Sequence, residues 1–123
     1  MCRLFVGADP ALWRNRTRSI RLSGVSTSIR LEDFYWTTLE EIARRDGLSL
    51  GQLVSRLYDE LASEGEIENF ASFLRVCCGR YLALQLAGEV PSNRAVPIRS
   101  LDAERILARE NAARALVSER ESA

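Results

Sequence analysis

Ser26, Ser28 and Arg30 stand two apart in the stretch Ser26-Thr27-Ser28-Ile29-Arg30-Leu31, and Thr27, Ile29 and Leu31 fill the places between them. Alternation of this kind belongs to a half-buried strand, one face joining a core and the other free. The free face carries two hydroxyls and a guanidinium. These groups hydrogen-bond to base edges or phosphates, and an arginine can grip guanine with two parallel bonds. Just upstream, Arg14, Arg16, Arg18 and Arg21 crowd together. Phosphate contact needs cations held near the DNA backbone and no exact spacing, so this run is a candidate for it. It also suits a solvated linker.

Other chemistry is excluded residue by residue. The chain has no His, which removes the commonest general base and the commonest zinc ligand. Cys77 and Cys78 are adjacent on a predicted helix, so their side chains diverge by about 100° and cannot act as a CxxC pair. Gly7-Ala8-Asp9-Pro10 lacks the spacing and lysine of a phosphate loop. Glu40-Glu41 and Asp59-Glu60 fall on solvated helix faces. No catalytic constellation is present, so no enzyme, cofactor or metal is expected.

The 123 residues have room for one domain, and an apolar fraction of 46% is that of a globular protein. No run reaches the ~18 apolar residues of a membrane span, and Leu4-Phe5-Val6 is too short for a signal peptide's apolar core. A cytoplasmic location is expected, and an odd count of three cysteines agrees with reduced thiols. Net charge is zero but unevenly spread. Residues 1–31 hold six arginines against Asp9, residues 32–89 hold eleven acids against five arginines, and the last third is nearly balanced. A basic end beside an acidic middle points to an anionic partner for the first segment. Every cation is Arg, the residue suited to bidentate contacts with guanine and phosphate.

The elements that must position these groups follow in order. Asp9-Pro10 caps a single turn through Trp13 in an arm whose Phe5 and Trp13 are expected to pack on the body. Residues 14–22 form a hairpin strand or an extended basic arm, and Ser23-Gly24 supplies a turn. After Leu31 the period changes to about 3.6. A first helix runs from Glu32 or Asp33 to Asp46, with Tyr35, Trp36, Leu39, Ile42 and Ala43 inward and Glu40, Glu41, Arg44 and Arg45 in water. Gly47 ends it, and Ser49 with Gln52 has capping-box spacing for a second helix. A third helix, from Ile67 or Asn69 to Leu86, is apolar almost all round, and its burial is expected to involve another subunit. Residues 89–99 read as a linker and Ser100 as the cap of a last helix to about Ser118. The expected organisation is therefore a basic arm or hairpin (1–22), a strand-helix-helix unit with an extra helix (23–88), a linker (89–99) and a helical tail (100–123).

Thr27-Ser28-Ile29-Arg30-Leu31-Glu32, then Trp36, Leu39, Ile42-Ala43, Asp46-Gly47 and Ser49 with Leu53-Val54, resemble the ribbon-helix-helix family of bacterial DNA-binding proteins, the class of the Arc and MetJ repressors. Gly7-Ala8-Asp9-Pro10, Arg16-Thr17-Arg18-Ser19-Ile20-Arg21-Leu22 and Phe73-Leu74-Arg75 resemble a subgroup of small bacterial members. The resemblance implies a mainly α fold with a short β-ribbon, built as an intertwined homodimer whose two strands pair across chains. Such a ribbon fits the major groove of double-stranded DNA. It implies Ser26, Ser28 and Arg30 as base readers, and Ser49 with the amides after it as a phosphate site beside Arg14, Arg16, Arg18 and Arg21. The function implied is transcriptional repression. The alternative is a protein-interaction module: an antitoxin whose C-terminal tail holds a protein partner, or an assembly protein without DNA function.

Overall fold

Two strands joined by the tightest of turns open the body of the molecule, in a computed structural model that describes residues 2–122. Strand β1 (Asn15–Leu22) pairs antiparallel with β2 (Val25–Glu32), and Ser19 lies opposite Ser28. Ser23 and Gly24 connect them with φ of 50° and 82°. Both values are positive, as in the two-residue hairpin turn whose twist matches that of the strands. Ser23 adopts this conformation at a steric cost, and its hydroxyl donates to Asp59 Oδ1 at 3.2 Å. The hairpin reading of residues 14–22 thus holds over the extended arm.

The ribbon that the resemblance placed between two chains is closed here within one chain. A two-residue connection brings β1 to β2 at little loop-closure cost, and the strands pair from Asn15↔Glu32 to Leu22↔Val25. The Asp33 amide extends the ladder by one bond, donating to the Arg14 carbonyl at 2.9 Å.

Four inward residues of the hairpin, Ile20, Leu22, Ile29 and Leu31, are buried against three helices. These are α2 (Asp33–Arg45), α3 (Leu50–Glu64) and α4 (Phe70–Leu86), preceded by a five-residue α1 (Cys2–Val6). Helix α2 ends where Gly47 takes φ 67°, and α3 begins with the predicted reciprocal cap, Ser49 accepting from the Gln52 amide while Gln52 accepts from the Ser49 amide. Asn69 caps α4 by accepting from the Ser72 amide. Trp36, Leu39, Val54, Leu74 and Cys78 complete the core between the helices.

Three expectations are revised. Phe5 and Trp13 remain 66% and 54% exposed, although Asp9 caps the short turn Pro10–Trp13 as predicted. Arg45, expected in water, is buried and stacks over the Tyr81 ring. Its guanidinium donates to the carbonyls of Val96 and Asn93 and to the Tyr81 hydroxyl, and that hydroxyl donates in turn to Glu41. A buried charge is stable only with such partners, and here they come from the segment expected to be a linker. That segment is held a second time by Arg99, which donates to the Asp46 carbonyl at 2.7 Å. The last helix, α5 (Ala103–Ser122), starts after Asp102 rather than Ser100 and lies on α4 through Ile106 and an Arg80–Glu110 pair.

Candidate nucleic-acid interface

Register decides which hairpin residues look outward. Thr17 is opposite Arg30, Ser19 opposite Ser28, and Arg21 opposite Ser26. All six are exposed and share the face turned away from the helices, so side chains from both strands stand together where the sequence reading had placed only Ser26, Ser28 and Arg30. Each can donate a hydrogen bond and none is acidic. Ser19 and Ser26 share a hydroxyl-to-hydroxyl bond of 2.7 Å, and Arg21 donates to the Gly24 carbonyl at 3.3 Å. Among the described residues Arg30 has no hydrogen-bond or ion-pair partner and its guanidinium is free.

The upstream arginines divide. Arg21 joins the outward face, and Arg14 lies exposed just before β1. Arg16 and Arg18 fall on the other face, where their alternation with Ile20 and Leu22 turns them toward α2. Arg16 pairs with Asp33 and Arg18 with Glu40, each at 2.9 Å, and Arg18 also lies over the Trp36 ring. The indole of Trp36 donates to the Arg16 carbonyl at 2.9 Å, locking this end of β1 onto the helix. Both guanidinium groups are paired with acids within the chain, on the side of the ribbon turned to α2.

Helix starts flank the ribbon on both sides. The beginning of α3, with Ser49 and Gly51, borders a shallow groove with Arg18, Ser19 and Arg21 of β1, and Arg56 further along α3 completes its rim. Because the hydroxyl and amide of Ser49 are engaged with Gln52, the unused donors there are the amides of Leu50 and Gly51. The beginning of α4 borders a second groove with Ser28 and Arg30 of β2, and its approach carries Glu66 and Glu68. Arg56 escaped the sequence reading because it belongs to a different element from the other arginines. Thr17 and Ser19 escaped it as well, yet a signal was present: Ser19-Ile20-Arg21-Leu22 recurs unchanged as Ser28-Ile29-Arg30-Leu31.

Away from this face the titratable groups are structural. A hydrogen-bonded ion pair with Arg75 holds the Glu32 carboxyl below its ordinary value, and Arg80 does the same for Glu110. Burial pushes the thiols of Cys77 and Cys78 up to about 11 and about 12, so neither is a ready nucleophile. Among the described residues no cluster of His, Cys, Asp or Glu could hold a metal ion, and no helix is long and apolar enough to cross a membrane.

No curated protein matches the chain. A solved structure of an uncharacterized protein from Bordetella pertussis Tohama I is similar, with 54% identity, a TM-score of 0.84, and coverage of 87% of this chain and 86% of that one. The model of the ribbon-helix-helix domain matches residues 15–82, which covers both strands, α2, α3 and most of α4. The chain belongs to the ribbon-helix-helix domain family.

Proposed function

We propose that this chain binds double-stranded DNA in the major groove through the outer face of its ribbon and represses transcription by occupying its site. The observation that carries the reading is that face itself: six exposed donors on a two-stranded ribbon, with no carboxylate among them. A groove about 12 Å wide admits such a ribbon, and the family to which the chain belongs is typically associated with DNA binding. Ser26, Ser28 and Arg30 read base edges. Arg14, Arg56 and the amides after Ser49 hold phosphates on the β1 side, where the helix start adds a favourable dipole. Serines accept several partners, so specificity is concentrated in the arginines. The work needs no catalysis and no cofactor, and it belongs in the cytoplasm, where bacterial DNA is.

A second copy of the chain fits the same reading. Helix α4 leaves Leu82 and Leu86 exposed one turn apart, and a homodimer through this side would set two ribbons on neighbouring sites. A protein partner held by the tail is the second reading, favoured by exposed Leu107, Leu116 and Val117 on α5.

Fluorescence anisotropy with random-sequence duplex DNA, repeated across a salt series, tests the main reading. Affinity should fall linearly with salt on logarithmic axes, and selection should enrich a preferred sequence. No retention of any duplex at low salt would end the DNA reading and leave the protein-partner one.

A further inference from the structure

We infer that the ribbon of a single chain is a pseudo-symmetric reading head, in which Arg21 of β1 and Arg30 of β2 each take one guanine on opposite strands of a quasi-palindromic site. The inference rests on the DNA reading above and deepens it, adding Arg21 to the residues that read bases.

Antiparallel strands have a local two-fold axis between them by construction. Here the axis that passes through the Ser19–Ser28 pair carries each β1 residue onto the residue nine later in the chain. Ile20 falls on Ile29, Arg21 on Arg30 and Leu22 on Leu31, while Thr17 falls on Ser26, also a hydroxyl. The outward side chains, and the inner isoleucines and leucines, therefore obey the symmetry that the backbone only permits. For the isoleucines and leucines the core is reason enough, because all four are buried. Ser19, Arg21, Ser28 and Arg30 are exposed, and no packing contact requires the repetition there. A ligand with the same symmetry supplies the missing reason, and duplex DNA has a two-fold axis at the centre of any palindromic step.

The spacing agrees. Each arginine lies two residues from the serine pair, in opposite directions along the ribbon. Four residues at about 3.3 Å separate them by about 13 Å, the rise of about four base pairs. Their surroundings are also free: Arg30 is without a partner among the described residues, and Arg21 has only the single 3.3 Å bond to the Gly24 carbonyl to give up. Arg16 and Arg18 lie on the opposite face, tied to Asp33 and Glu40.

Selection of bound duplexes with the full chain and with Arg21→Ala, Arg30→Ala and Arg21→Lys tests the assignment. The unaltered chain should enrich two symmetry-related guanines about four base pairs apart. Arg21→Ala should lower the preference at one of them by about 5- to 150-fold, and Arg30→Ala at the other. Arg21→Lys should lose the same guanine with little change in salt slope, because the charge remains and the bidentate fork does not. Three outcomes overturn the proposal. If Arg30→Ala erases both guanines and Arg21→Ala neither, the ribbon on DNA is made from two chains' β2 strands. If Arg21→Ala weakens all sequences equally and Arg21→Lys restores them, Arg21 holds a phosphate. If the unaltered chain binds no duplex at all, the DNA reading itself fails and this proposal fails with it. Circular dichroism of each variant should be unchanged, since both side chains are exposed.

Discussion

The two strands of the ribbon carry one tetrapeptide in two different surroundings. Outward, Ser19 and Arg21 match Ser28 and Arg30. Inward, the strands part company. Beside α2 the inner positions of β1 are Arg16 and Arg18, paired with the acids of that helix; the corresponding positions of β2 are Val25, 65% exposed near the turn, and Thr27. The leucines differ in the same sense, Leu31 being fully buried between the helices and Leu22 lying 6% exposed beside the turn. The flanks differ too, with Arg56 and the open amides of α3 beside β1 and Glu68 beside β2. The face that would meet a ligand is symmetric while its anchoring and its electrostatics are not, so the outer identity is not a by-product of how the hairpin packs.

The sharpest test of unequal anchoring is to truncate the same residue in each copy of the repeat. Leu→Ala in a core costs about 2–5 kcal/mol, and the value depends on the cavity left behind. Leu31→Ala should fall near the top of that range, about 4 kcal/mol, and Leu22→Ala near the bottom, about 2 kcal/mol, in urea unfolding with unchanged m-values. Equal losses would mean that the two halves are anchored alike.

The electrostatic half of the comparison can be read on DNA. Arg56→Ala should weaken binding to all sequences several-fold, about 1 kcal/mol, and lower the salt slope by about one. Glu68→Gln should do the opposite at low salt, raising affinity, because the carboxylate that lines the β2 groove no longer repels phosphate. If both changes leave affinity alone, neither flank approaches the DNA.

Glu32 ends β2 where Arg75 of α4 grips its carboxylate with bonds of 2.8 Å and 3.1 Å. That partner lowers the folded-state pKa below the usual 4.5, so the stabilisation is present at neutral pH and is lost as pH falls through the lowered value. Glu32→Gln should accordingly lie up to about 1 kcal/mol below the unaltered chain at pH 7, the range of partly exposed ion pairs, and meet it in strong acid. A gap that does not change with pH would assign the difference to packing instead.

How far the sequence could be read depended on distance along the chain. The strand at Ser26, the stop at Gly47 and the Ser49–Gln52 cap were legible because period, φ preference and capping act over a few residues. Arg45 was misread because its acceptors, the carbonyls of Val96 and Asn93, lie 51 and 48 residues away and carry no side-chain signature. Phe5 and Trp13 were expected to pack on the body on hydrophobicity alone, but they stay more than half exposed in the short arm ahead of β1. On the candidate face, alternation gave Ser26, Ser28 and Arg30, whereas Thr17, Ser19 and Arg21 needed the pairing register. Without it the repeated Ser-Ile-Arg-Leu has no geometry.

The smallest effect belongs to the arginines that the sequence alone would put on phosphates. Arg16 is half exposed and its pair with Asp33 lies at the surface, where such pairs contribute about 0–1 kcal/mol. Arg16→Ala should change stability by less than that and leave the salt slope of DNA binding where it was, since a guanidinium held by an acid on the inner face releases no counterion from DNA. The comparison with Arg56→Ala then isolates position from charge: two exposed arginines are removed, one from the groove rim and one from the helix-facing side. A drop in slope from Arg16→Ala equal to that from Arg56→Ala would mean that Arg16 leaves Asp33 when DNA arrives, and that the basic run acts as a single phosphate-binding arm.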